Sequence, residues 1–160
     1  MLLRSCTDSD LEALIDLTIA TFRPFFEDYV RPLLGDALFR HQHGQWEQDY
    51  REEVAGLHDP AVGRHVVVAQ MGSAIVGYVA WKPGERPNSG EIDMLAVSSA
   101  HRHQEIGRQL CEYAIGKMKA EGVEVVGIST GDDAFHAAAR GLYESLGFIK
   151  IPIAGYLKRI

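Results

Sequence analysis

Apolar and polar residues alternate over Glu91-Ile92-Asp93-Met94-Leu95-Ala96-Val97. After Arg102-His103-Gln104-Glu105-Ile106-Gly107-Arg108 the spacing lengthens, and Ile106, Leu110, Tyr113, Ala114 and Met118 recur at three- and four-residue intervals. Period two marks a half-buried strand, and the longer period marks one face of a helix, here from about Glu105 to Ala120. A strand therefore feeds a helix through a basic, polar turn. The first N–H groups of such a helix have no internal partners, and with the positive end of its dipole they face that turn. This makes the turn a candidate anion site, and Gly107 allows a phosphate close to the backbone.

The rest of the chain reads as follows. Leu2 to Cys6 suits a short strand, and Thr7 with Asp8, Ser9 and Asp10 gives a helix start with a near capping box. Leu11, Leu14, Ile15, Thr18, Ile19 and Phe22 then share a helical face, which Pro24 ends or kinks. Residues 25–59 interleave Phe25, Phe26, Tyr29, Phe39, Trp46 and Tyr50 with acids and predict one or two helices, broken near Gly35 and Gly44. His65–Gln70 and Ile75–Trp81 form a hairpin across a Gly72 turn, and residues 82–90 are a loop. Val123–Thr130 is a further strand. Phe135, Ala138, Ala139, Leu142, Tyr143 and Leu146 stripe a helix that Asp132 or Asp133 can cap and Gly147 ends. Phe148–Leu157 is expected as a last strand, interrupted by Pro152 and Gly155. The order β-α-(α)-β-β-β-α-β-α-β is an α/β mixture with an antiparallel early sheet.

The chain has 160 residues, which fits one domain over 1–160. No apolar run reaches the roughly 18 residues of a membrane span, and the N-terminus lacks the apolar core of a signal peptide. Cys6 and Cys111 are widely separated and read as two buried free thiols, which fits the cytoplasm. A net charge of −6 disfavours nucleic acid and is compatible with a cationic substrate. Aromatics among acids from Phe25 to Glu53 could line a pocket for an organic cation, or simply be core rings above a solvated acidic face.

Strand, Arg102-x-x-Glu105-x-Gly107, helix, strand, and then Ala139-x-x-Leu142-Tyr143-x-x-x-Gly147-Phe148 resembles the GNAT superfamily of N-acetyltransferases. The resemblance covers about residues 65–150. It implies a mixed, mostly antiparallel sheet flanked by helices, with two parallel central strands, Glu91–Val97 and Val123–Thr130, splayed around the pantetheine of acetyl-CoA. It implies no metal. The backbone of Leu95, Ala96 and Val97 would meet the pantetheine and thioester, with the Leu95 amide polarising the thioester carbonyl. Arg102, His103, Gln104, Glu105, Ile106, Gly107 and Arg108 would take the pyrophosphate. Two departures from the family pattern stand out. Glu105 replaces a glycine, and is expected either to turn its carboxylate to solvent or to weaken CoA binding. His136 stands where asparagine is frequent; it could hydrogen-bond a CoA amide or be a surface histidine.

The resemblance further implies direct acetyl transfer to an amine in a ternary complex. Glu91 is the first candidate for the base, ahead of Asp93 and of an acid from the N-terminal helices or the last strand. Tyr143 would protonate the leaving thiolate. A small-molecule primary amine is the expected acceptor. A protein N-terminus or lysine is the alternative, and a non-catalytic acyl-CoA-binding module is the alternative of another class. A homodimer is expected by family analogy. His41-x-His43 has metal-like spacing but no companion ligands, and neither a P-loop nor a G-x-S-x-G elbow is present.

Overall fold

The computed structural model describes residues 1–158, so the last two residues of the 1–160 domain lie outside the described residues. Five strands form one sheet in chain order: β1 (Leu2–Ser5), β2 (His65–Met71), β3 (Ala74–Pro83), β4 (Ser89–Val97) and β5 (Val125–Ile128). The first four are antiparallel, and β5 lies parallel to β4. A parallel neighbour needs a long crossover, which is α5 (Ile106–Ala120). Both faces of the sheet are covered. Val66, Val68, Tyr78 and Ala80 pack toward α1 (Leu11–Pro24), and Val67, Ala69, Val79 and Trp81 pack toward α5. Burial on two sides explains why β2 and β3 read as nearly unbroken apolar runs.

Two irregularities shape the centre. Ala80 pairs with Met94 but Trp81 pairs with Ile92, so Asp93 is an extra residue bulged out of β4. A bulge reverses the side-chain parity beyond it. Ile92 therefore joins the α5 side, while Met94 and Ala96 join the α1 side. Then β4 keeps β3 as its neighbour as far as Val97, but its pairing with β5 stops at Ile92–Ile128. The expected splay of the two parallel strands is thus present, and β5 is shorter than the 123–130 expectation. Val123 instead closes the end of α5, its amide donating to the Met118 carbonyl at 3.0 Å.

The regular α-helical geometry of α1 ends at Pro24, as expected, but the chain stays helical beyond it. The chain widens into a π-helical turn (Phe25–Val30), continues as α2 (Arg31–Leu34), and breaks only at Gly35, whose φ is 73°. Next come α3 (Asp36–His43) and α4 (Trp46–Ala55), with Gly44 between them as expected. The start of α1 is tied down by Asp10, whose carboxylate accepts from the Thr7 amide at 2.8 Å and from Arg4 at 2.7 and 2.8 Å.

The last helix, α6 (Ala137–Ser145), ends in the expected glycine motif: Gly147 has φ 88° and the Phe148 amide donates to the Tyr143 carbonyl at 3.0 Å. The strand expected over Phe148–Leu157 is not formed. The segment is irregular, and Ile149, Ile151 and Ile153 are exposed. Pro152 removes a ladder donor and Gly155 weakens a strand, and beyond Phe148, which packs beside Tyr143, neither set of alternating side chains finds a core surface. Among the described residues, no helix is long and apolar enough to cross a membrane.

Candidate active site

A cleft of about 650 Å³ opens where β4 and β5 part. Its floor is Ile92–Leu95 and Val97 from β4 with Ile128, Ser129 and Thr130 from the end of β5. One wall is the β4–α5 turn with His101, Arg102, His103, Glu105, Ile106, Gly107 and Arg108. The facing wall is Phe135, His136, Leu142 and Tyr143 from the start and inner face of α6. The remaining side comes from α1 and α4, through Thr21, Phe22, Tyr50 and Glu53.

At the turn, the first bond of α5 runs from the Gln109 amide to the Glu105 carbonyl at 3.0 Å. The amides of Ile106, Gly107 and Arg108 are therefore the free donors of the helix start. His103 and Glu105 both hold left-handed backbone, with φ of 62° and 57°. Glu105 thus adopts the conformation a glycine would take most readily. Its side chain is mostly exposed and turns to Arg108, with Oε2 accepting from Nε at 2.9 Å. Arg108 also donates to the Ser145 hydroxyl at 2.7 Å, so this arginine is partly committed. His101 Nδ1 is buried with no hydrogen-bond partner among the described residues, and a buried orphan of this kind is where a ligand acceptor fits. Free helix amides, Arg102 and this imidazole suit a phosphate-bearing cosubstrate. Gly107 has a packing role as well: a Cβ there would stand 3.3 Å from Leu142 of α6.

The acids divide sharply. Glu91 and Asp93 share a face, since Lys82 Nζ lies 3.8 Å from Glu91 and 2.7 Å from Asp93. Only Asp93 lines the cleft, and Arg64 also holds it at 3.1 Å. Glu91, the first candidate base, is not among the cleft-lining residues; its register partner is Lys82. Glu53 lines the cleft with no ion pair among the described residues, and burial together with the nearby Asp93 charge raises its carboxyl above the ordinary value. Of the aromatic-acidic stretch, Tyr50 and Glu53 reach the cleft because positions three apart share one face of α4. Glu27 instead accepts from Arg31 and Trp46 at 2.7 and 3.0 Å.

Tyr143 is buried at the cleft wall, and burial pushes its hydroxyl well above the usual tyrosine range. His136 Nδ1 lies 2.7 Å from Asp133 Oδ2. Ala96 and Gln104 do not line the cleft: Ala96 is buried on the α1 side and Gln104 is exposed. Cys111 is buried, and burial pushes its thiol up to about 12, whereas Cys6 is only half-buried. His101, Thr21 and Phe135 line the cleft without a sequence signal, whereas Glu53 lies within the aromatic-acidic stretch expected to line a cation pocket. The Tyr50-x-x-Glu53 spacing was the signal available for the last.

Parallel strands that part beside a free helix N-terminus leave an open cleft with an anion-binding end, the α/β arrangement suited to an extended, phosphate-bearing ligand. The sequence profile described as the Acetyltransferase (GNAT) family matches residues 14–148, and the chain belongs to this family. N-alpha-acetyltransferase 30 of Saccharomyces cerevisiae is 40% identical over 62 residues, which is 39% of this chain and 34% of that protein. N-acetyltransferase family 8 member 2 of Rattus norvegicus is 34% identical over 87 residues, 52% of this chain and 38% of that protein. The chain thus spans little more than a third of these relatives. Among solved structures, the PaiA N-acetyltransferase of Thermoplasma acidophilum in complex with coenzyme A superposes with a TM-score of 0.71 at 18% identity, covering 96% of this chain and 92% of that one. An acetyltransferase of the GNAT family from Staphylococcus aureus gives 0.73 at 18% identity, covering 94% and 85%.

Proposed function

We propose that this protein is an acetyl-CoA-dependent N-acetyltransferase acting in the cytoplasm on the primary amine of a small molecule. The observation that carries this reading is one cleft holding the α5 amides, the parted β4 edge, the Tyr143 hydroxyl and the uncommitted Glu53 carboxylate. Its volume of about 650 Å³ lies within the usual range for small-molecule sites. Arg102, His101 and the first amides of α5 hold the diphosphate, and the backbone of Leu95 and Val97 lies along the pantetheine. A fixed amide at Leu95, aimed at the developing oxyanion, is worth roughly 2.7–4 kcal/mol in the barrier. Phe22, Tyr50 and Phe135 with Glu53 receive the organic cation by cation–π and Coulomb attraction.

Transfer is direct: the neutral amine attacks the thioester carbon, the C–S bond breaks, and Tyr143 gives its proton to the departing thiolate. Cys111, outside the cleft lining and held as a thiol, offers no acyl-carrying thiolate at neutral pH. The test is thiol release from acetyl-CoA with a panel of small amines and of peptides with free N-termini or lysines. Turnover with a small amine and none with peptides is the expected result. Peptide turnover alone would move the acceptor to proteins, as the name of the yeast relative suggests for that protein. No stimulation by any acceptor would leave an acyl-CoA-binding module. Tyr143→Phe should lower kcat about a hundredfold with CoA affinity retained; an unaltered kcat across pH removes the general-acid role. The reading includes a homodimer, checked by sedimentation equilibrium.

A further inference from the structure

The mechanism above leaves the first proton unassigned. An alkylammonium must lose it before the nitrogen can attack. Glu91 is not on the cleft wall, and Asp93 is held by Lys82 and Arg64. A second device stands on the α6 side. His136 Nδ1 is 2.7 Å from Asp133 Oδ2, and the other carboxylate oxygen accepts from the His136 amide at 3.1 Å. Both side chains are largely buried, at 14% and 11% exposure. The imidazole is boxed by aromatic edges, with ring centres 4.7 Å from Phe25 and 4.9 Å from Phe135. Arg140 donates to the Gly131 and Asp133 carbonyls at 2.7 and 2.6 Å, fixing the loop that carries the acid. Gly131 has no room for a side chain, since a Cβ there would overlap Asp133 Oδ2 and His136 Nδ1. Nε2 makes no hydrogen bond among the described residues, although His136 lines the cleft.

Resting on the acetyltransferase reading, we propose that Asp133 and His136 form a catalytic dyad in which His136 Nε2 takes the proton of the acceptor ammonium. Asp133 is a positioning residue that keeps the proton on Nδ1, leaves the Nε2 lone pair toward the cleft, and stabilises the imidazolium once formed. Burial pushes the Asp133 carboxyl up, yet hydrogen bonds from the His136 ring and amide bring it below the ordinary value, so it is a carboxylate near neutrality. The protons balance. One goes from the ammonium to Nε2 and then to solvent. The second leaves nitrogen as the C–N bond forms and the C–S bond breaks, and reaches the CoA sulfur through Tyr143. Around the imidazole, the charged groups of its own loop and helix are Asp133 and Arg140, with Asp132 3.5 Å from Arg140 and paired to Lys150. Across the cleft stand Tyr50 and Glu53 of α4, and Asp93 of β4. His101, Arg102, His103, Glu105 and Arg108 face the cleft from the turn. The π-helical turn presents Phe25, with Tyr29 stacked behind it.

The test compares two acceptors. One is the best alkylamine of the panel, and the other is its β,β,β-trifluorinated counterpart, whose nitrogen is already neutral at the assay pH. His136→Gln should lower kcat/KM for the alkylamine by about 10²–10⁴-fold and for the fluorinated amine by less than about threefold. The low-pH limb of the wild-type profile should vanish in this variant. Asp133→Asn should lower the alkylamine rate in the same selective way. Calorimetric CoA affinity should stay within about threefold in both. If both amines fall equally, or CoA affinity collapses, the dyad is a CoA contact or a helix cap and the proposal is wrong. No turnover by the wild-type protein with any amine would instead sink the acetyltransferase reading itself, and the dyad's role with it.

Discussion

Glu105 is a side chain in a glycine's place. Left-handed backbone costs an L-residue about 1–2 kcal/mol, and here the carboxylate also engages Arg108 at the start of α5. Glu105→Gly should therefore free Arg108 and tighten CoA binding about twofold to fivefold, the weight of one exposed charge pair. Stability should move by less than about 1 kcal/mol, because relief of the backbone strain offsets glycine's chain entropy. Calorimetry and urea unfolding check both, and weaker binding would mean that the Glu105–Arg108 pair shapes the turn. Asp10 is the opposite kind of residue. The Arg4 guanidinium, against the effect of burial and with help from Thr7, holds its carboxyl far below the usual range. A folded-state pKa depressed below the unfolded value of about 3.9 stabilises the protein above that pH, and the contribution is lost as pH falls further. Urea midpoints should thus drop below about pH 4 more in the wild type than in Asp10→Asn, which at pH 7 should already be weaker by about 2–4 kcal/mol.

At the scale of elements, α5 is seated on the sheet through glycine. A Cβ on Gly77 would stand 3.0 Å from the Ala96 carbonyl oxygen and 3.3 Å from Ile106 and Leu110. Gly77→Ala should cost about 1–3 kcal/mol by overpacking, and on the proposed reading should weaken CoA binding too, since Ile106 is the first residue of α5. Chemical denaturation with CoA titration separates the two effects. This seat could not be read from the sequence, where Gly77 is one residue in an apolar run. The hairpin, α5 and the closing motif of α6 could be read, because each is written in local periodicity and a glycine at a defined end. The bulge at Asp93 could not, because it belongs to the pairing of two strands and leaves no mark on either. The π-helical turn after Pro24 was missed for a related reason: a proline signals a break locally, while aromatic packing of Phe25 and Phe26 carries the helix through it.

At the scale of the molecule, the residues of the β4–α5 turn were legible because they are contiguous. The set of acids and histidine that meets beside it was not, since the cleft gathers Glu53, Asp93 and His136 from α4, β4 and the start of α6. Alternation over 148–157 promised a strand, but a strand needs a neighbour, and among the described residues the ladder of β5 is made with β4 alone. The parting of β4 from β5 has a thermodynamic side. Past Ile92 and Ile128 the sheet forgoes the cross-strand bonds that would close it, so part of the cohesion of the folded state is left for whatever lies in the gap. A cosubstrate there binds the folded chain alone, and mass action then raises stability by about 2.7 kcal/mol at a hundredfold excess over Kd. For a domain of this size that is a rise in Tm of roughly 5–11 °C. A thermal melt with CoA should show it, and a Tm indifferent to CoA would mean the gap is not where the nucleotide binds. In a cell, the protein's resistance to unfolding would then follow the size of the acyl-CoA pool.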